Sequence, residues 1–178
     1  MRSTLPLTGT ERFFSESEII VSKTDLGGRI TYANDVFLRV AGFDEEEVLD
    51  KPHSLVRHPQ MPRSVFKLMW DTLDSGAEIF AYVINRCKNG DHYWVLAHVT
   101  PTLNAKGDII SYHSNRRVAT KSAVATVSEI YRALSDEEQK SQYSKEGMVS
   151  AGKLLNRMLV EKGCSYEELI FSLSQDSR

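Results

Sequence analysis

The run His53-Ser54-Leu55-Val56-Arg57-His58-Pro59-Gln60-Met61-Pro62 concentrates two histidines, an arginine and two prolines in ten residues. Proline fixes its own φ, lacks an N–H, and pushes the residue before it out of the helical basin. The two prolines therefore hold hydrogen-bond donors and a permanent cation on a short, stiffened turn. Such groups on a rigid scaffold suit ligand binding, and the same composition also suits a solvated basic connector. Zinc chemistry does not fit, because His53 and His58 lie five apart across a break and lack the i, i+4 spacing of a helical metal pair. No nucleophile–base pair and no phosphate-cradling glycine loop occurs elsewhere, so an enzyme is not expected. Cys87 and Cys164 are far apart with no CxxC, which reads as two reduced thiols.

The remaining 168 positions must supply the scaffold. Of 178 residues, 41% are hydrophobic and 26% charged, enough for one ordinary domain with an appendage. A formal net charge of -2 argues against nonspecific nucleic-acid binding, which needs a basic excess. The Met1-Arg2-Ser3-Thr4-Leu5 start has no apolar run of a signal peptide, and no window reaches the ~18 apolar residues of a membrane span. The expectation is a cytoplasmic protein with no membrane span of its own.

Residues 1–18 read as a lead-in or cap whose Phe13 and Phe14 can dock on the domain or on a partner. Ile19 to Asp25 and Arg29 to Tyr32 are β-rich and flank Gly27-Gly28, which predicts a hairpin. Asn34 opens a short helix with Val36, Phe37, Val40 and Ala41 on one face, and acids from Asp44 open a second. After the basic turn, Val65, Phe66, Met69, Trp70 and Leu73 line one face of a helix over about residues 62–75. Strands follow over 78–87 and 92–101, joined by Lys88-Asn89-Gly90-Asp91, a strong hairpin signal. A last strand covers 109–118. The order predicts an α+β fold: a five-stranded antiparallel sheet with helices packed on one face. From residue 121 to 178 only helical periodicity remains, read as a C-terminal appendage of three or four helices. Ser135-Asp136-Glu137-Glu138 and Ser165-Tyr166-Glu167-Glu168 have the form of capping boxes that start two of them.

Over about residues 19–120 the element order resembles a PAS domain. The opening hairpin Thr24-Asp25-Leu26-Gly27-Gly28-Arg29-Ile30-Thr31-Tyr32-Ala33-Asn34 and the run Lys88-Asn89-Gly90-Asp91-His92-Tyr93-Trp94-Val95 carry the resemblance. The segment Lys51 to Pro62, with Phe66, Met69-Trp70 and Asn85-Arg86, is most similar to the sensory domain of bacterial aerotaxis transducers. That resemblance implies noncovalent FAD binding, reading of electron-transport or redox state, and signalling to a protein partner, possibly a chemotaxis-type transducer. It also implies a homodimer formed through the PAS domain. Full-length transducers continue into a membrane anchor and a long coiled coil. Neither is found here, which points to the separate PAS half of a split energy-taxis system or a free-standing PAS protein.

The resemblance also assigns a pocket. In light-sensing flavin PAS domains an asparagine just before the hairpin meets the ring, and Asn85 matches it. Strand alternation then turns Ala81 and Val83 inward with Asn85. Across the hairpin the same family resemblance implies that Val95, Ala97 and Val99 point inward, which sends Trp94 and His98 to the opposite face, toward the tail or a second subunit. Ser114 and Arg116 share a parity with Tyr112 and are expected near the ring. Arg57 and His58 are expected at the pyrophosphate or adenine, and Phe66 and Trp70 as pocket wall or core. Asn34 either caps its helix or touches the cofactor. His53 occupies the region of the photoreactive cysteine in light sensors, and without a cysteine there, adduct photochemistry is not expected. Two alternatives stand beside the FAD redox sensor. One is a haem b gas sensor with His53 or His58 as axial ligand. The other is a cofactor-free PAS dimerisation module.

Overall fold

The computed structural model describes residues 5–175 of the chain. The first four residues of the lead-in and the last three of the tail lie outside the described residues. The five-stranded antiparallel sheet expected from the strand pattern is present, with spatial order β2-β1-β5-β4-β3. Its strands are β1 (Ile20–Thr24), β2 (Ile30–Ala33), β3 (Ile79–Arg86), β4 (His92–Leu103) and β5 (Ile109–Val118). Between β2 and β3 run α1 (Asp35–Ala41), α2 (Glu45–Val48), a 3-10 turn (His53–Val56) and α3 (Arg63–Asp74). Three longer helices follow the sheet: α4 (Lys121–Gln139), α5 (Ser144–Lys162) and α6 (Tyr166–Gln175).

The two faces of the sheet have different covers. Pairing sets Ala81 opposite Ala97 and Ala97 opposite Arg116, then Ile79 opposite Val99 and Val99 opposite Ser114. Those rungs point toward α1–α3, together with Ile20 and Ser22 of β1, which pair with Arg116 and Ser114. The opposite face carries Phe80, Tyr82, Trp94 and His98, and the C-terminal helices cover it. Trp94 lies 6.2 Å from Tyr131 of α4, and Phe80 packs between His98 and Phe171 of α6. The Tyr131 hydroxyl donates to the Tyr82 carbonyl at 2.6 Å, which fastens α4 to the edge strand β3. Trp94 and His98 are thus on the expected face, and in this chain the tail meets it.

One reading of the tail is corrected. Ser135 to Glu138 does not begin a helix; it lies inside α4, which runs unbroken to Gln139. The second box is formed, with Glu168 accepting from Ser165 N–H and Ser165 Oγ accepting from Glu168 N–H.

The lead-in runs along the β3–β4 hairpin. Thr8 N–H donates to Gly90 O, His92 N–H to Thr10 O, and Arg12 N–H to His92 O. Gly90, at φ 96°, lies directly beneath the Pro6 carbonyl, where any Cβ would collide. Arg12 pairs with Asp91 at 2.9 Å. Hydrogen bonds from Thr8 and Asn89, and then from Arg12, hold the Asp91 carboxyl down at about 2. Phe14 packs on the core, whereas Phe13 is exposed.

Candidate functional site

Between the sheet and α3 lies a cavity of about 270 Å³. Its floor is the inward parity of four strands: Ser22 and Thr24, Val83 and Asn85, Ala97 and Val99, and Tyr112, Ser114 and Arg116. Its roof is the apolar stripe of α3, comprising Phe66, Met69, Trp70 and Leu73. The 3-10 turn supplies His53 and Ser54, and Arg57 follows it. Gly27, Gly28 and Pro52 complete the rim. Aliphatic and aromatic walls with a few polar groups are the usual make-up of a small-molecule site.

The polar end centres on Arg116, which is 5% exposed. Its Nη2 lies 2.9 Å from Ser22 Oγ and 2.7 Å from His53 Nε2. A guanidinium only donates, so His53 Nε2 is the acceptor, and the ring is the neutral tautomer carrying its proton on Nδ1. Burial, and then the Arg116 charge, push the His53 pKa down to about 3. Burial also pulls Arg116 below its ordinary value. The Arg116 guanidinium lies 5.8 Å from the Phe37 ring, and among the described residues no carboxylate lines the cavity.

Among the described residues, three buried atoms of the lining have no hydrogen-bond partner: Asn85 Nδ2, Ser114 Oγ and Arg116 Nη1. All three can donate. Buried polar groups in native proteins are almost always paired, so three unused donors in one cavity describe the complement of an acceptor-rich ligand edge.

Arg57 stands where the turn meets the sheet. Its backbone bridges to that of Asn85, its guanidinium lies 4.6 Å from the Phe66 ring, and its Nη2 donates to Met61 O at 3.3 Å. Trp70, 36% exposed, sits edge-on to Tyr112 at 5.2 Å at the rim. The structure therefore brings His53, Arg57, Phe66, Trp70, Asn85, Ser114 and Arg116 to one cavity.

It does not bring Asn34 or His58 there. Asn34 Oδ1 accepts from Phe37 N–H and Val21 N–H at 3.0 Å each, and its Nδ2 donates to Ile19 O at 2.8 Å. Its capping role holds, and its hydrogen-bonding capacity goes to tying α1 to β1. His58 points toward the β3–β4 hairpin: its ring is 5.7 Å from His92, and its Nδ1 accepts from Gln60 N–H. Burial, then the neighbouring His92 and Arg86, take its pKa down to about 4. Alternation along the turn sends Arg57 and His58 to different sides, so the pair does not act together.

Ser22 and Thr24, not among the site residues expected from the sequence, also line the cavity. Their signal was present: in β1 the buried parity reads Ile20, Ser22, Thr24, and polar residues on the buried parity of a strand need partners. Met69 and Tyr112 are further wall residues, marked in the sequence only by helix face and strand parity.

The sequence of residues 30–116 matches the PAS fold family. A 120-residue stretch is 43% identical to the Aerotaxis receptor of Escherichia coli (strain K12), covering 67% of this chain and 24% of that protein. Residues 30–116 are a PAS domain. Another relative, the nitrogen fixation regulatory protein of Klebsiella pneumoniae, is 31% identical over 102 residues, 57% of this chain and 21% of the relative. The chain thus spans less than a quarter of the length of these curated relatives. Among solved structures, the light state of the blue-light photoreceptor Aureochrome1 LOV superposes with a TM-score of 0.54 at 20% identity, over 66% of this chain and 91% of that one. This likeness fixes the fold of the PAS domain. Among the described residues, no helix is long and apolar enough to cross a membrane.

Proposed function

We propose that this chain is a PAS redox sensor that takes up FAD noncovalently in the α3 cavity and signals to a protein partner. The observation that carries the reading is the set of unused donors on Asn85, Ser114 and Arg116 at the polar end of a largely apolar cavity. The similarity to the Aerotaxis receptor supports the same reading.

The residues present fit a flavin. The pyrimidine edge of the ring is rich in carbonyl and imine acceptors, which match those three donors. Phe66, Met69, Val83 and Val99 provide apolar contact for the ring faces. A cavity of about 270 Å³ is near the lower end of ligand sites, so it suits the ring system rather than the whole dinucleotide. Arg57 at the rim is the cation best placed for a phosphate. A bound flavin supplies a reversible electron acceptor. The chain contributes orientation and charge: Asn85 and Ser114 fix the ring edge, and Arg116, itself held by His53 and Ser22, sets the local potential. These residues stand on β3 and β5, which flank β4, so a change in what they hydrogen-bond is felt by a sheet whose other face carries Phe80 of β3 and Trp94 of β4.

The haem reading has less support. The His53 Nε2 lone pair is engaged by Arg116, and His58 lies outside the cavity. Absorption spectra of the purified, cofactor-saturated protein test the proposal. Blue-region flavin bands that bleach on reduction are expected, with FAD released on denaturation. A Soret band without flavin, or a protein that takes up no FAD on reconstitution, would overturn it.

A further inference from the structure

The helix that roofs the cavity has no N-cap of its own. α3 begins at Arg63 directly after Pro62, whose side chain has no acceptor. Helix N-termini leave unpaired N–H groups and attract negative charge. Here the Arg63 and Ser64 amides donate to the two carboxylate oxygens of Glu138, at 3.1 and 2.7 Å. Glu138 is in the last turn of α4, in a part of the chain remote from α3 in sequence. The Arg63 guanidinium also donates to Ser144 Oγ at the first residue of α5. Gly147 of α5 lies so close to the Glu138 carbonyl that a Cβ would collide with it. The elbow between α4 and α5 is therefore packed tightly and seated on the first turn of α3. The next turns of α3 place Phe66, Met69, Trp70 and Leu73 in the cavity wall.

One twelve-residue helix thus carries the roof of the cavity and the seat of the C-terminal segment. We propose that filling the cavity and seating the α4–α5 elbow are coupled through α3, with the Glu138 carboxylate as the clamp. A ligand that orders α3 holds the elbow in place, and a seated elbow tightens the ligand. Coupling between two sites is reciprocal in free energy, so the two effects have the same size. The coupling acts on the elbow rather than on the whole of α4, because α4 is separately fastened to the sheet through Tyr131 and Trp94. The identity of the ligand rests on the flavin reading; the clamp does not.

Amide hydrogen exchange on the full chain, with and without FAD, tests it. FAD is expected to slow exchange over residues 136–147. In Glu138→Ala that slowing is lost, and the FAD dissociation constant rises about five- to tenfold. Asp136→Ala, exposed on the same turn, should behave as the parent. A Glu138→Ala protein with parental FAD affinity and parental FAD-dependent protection would overturn the coupling. If the parent takes up no FAD, the flavin reading fails, and the clamp is judged on Phe66→Ala. That change loosens α3 from the cavity side and should speed exchange at the elbow, whereas unchanged rates there would refute the clamp.

Discussion

Acidification should destabilise this fold well above the range where carboxylates titrate. His53 and His58 are held neutral, with pKa values near 3 and 4 instead of the ordinary 6.5. Burial is the first cause for both. Arg116 adds to it at His53, and His92 and Arg86 at His58. In the unfolded chain both rings take up a proton near pH 6.5, while in the folded chain they do not until pH 3 to 4. Between those limits the unfolded state binds more protons, so stability falls as pH falls. At about 1.36 kcal/mol per pH unit per proton, each histidine costs about 0.8 kcal/mol at pH 6 and about 2 kcal/mol at pH 5, or about 4 kcal/mol for the pair. His113, also lowered by burial and nearby cations, acts in the same direction. Asp91 does not oppose this, since its stabilisation is complete above the ordinary carboxylate range and is lost only toward pH 2. Urea unfolding of the ligand-free protein at pH 7.5, 6 and 5 reads the effect as a falling midpoint. His53→Gln and His58→Gln should each flatten the profile by about half. A midpoint unchanged from pH 7.5 to 5 would refute the neutral, buried assignment of both rings.

Asn85→Ala and Arg57→Ala should each weaken FAD retention by about 1–3 kcal/mol, roughly tenfold to hundredfold, as measured by equilibrium dialysis. Full retention by both would remove them from the site. Arg116→Met should separate stability from binding. The ligand-free protein becomes more stable by about 1–3 kcal/mol, because an uncompensated buried cation leaves and Ser22 Oγ remains 3.1 Å from His53 Nε2 to pair with it. FAD affinity falls at the same time, and a destabilised variant in urea unfolding would contradict this. Tyr131→Phe removes the donor to the Tyr82 carbonyl and should cost about 1–2 kcal/mol in the same assay, with no effect on FAD binding.

What could be read from the chain followed the range of the forces involved. The period of two set Val83 with Asn85, and Ser114 with Arg116, on one face of their own strands, because alternation is a local property of a strand; bringing Ala97 and Val99 to the same face took the family resemblance. The Asn89-Gly90 turn was equally plain, since the backbone there needs a positive φ. Asn34 was open between capping its helix and touching a cofactor, and the structure gives it to the cap and to β1, whereas His58, set at a pocket by resemblance, is turned to Gln60 and His92. Glu138 shows the limit most clearly. Its spacing from Ser135 satisfies a capping pattern, yet the pattern does not say which helix is capped. The helix that receives Glu138 lies far away in sequence, and only tertiary packing brings them together. Pro62 at the start of α3 was the available clue, since it leaves a helix needing a cap from elsewhere.

The chain has only two tryptophans, and the fold puts them on opposite sides of one sheet. Trp70 is at the cavity rim beside Tyr112, and Trp94 lies beneath α4 against Tyr131. The molecule therefore carries two intrinsic fluorophores that report on different events. With Trp94→Phe, emission from Trp70 follows entry of a ligand that absorbs near its band. With Trp70→Phe, emission from Trp94 follows wetting of the sheet face under the tail. Recorded on one time axis after mixing, the two traces would show whether the far side of the sheet responds with the near side or after it.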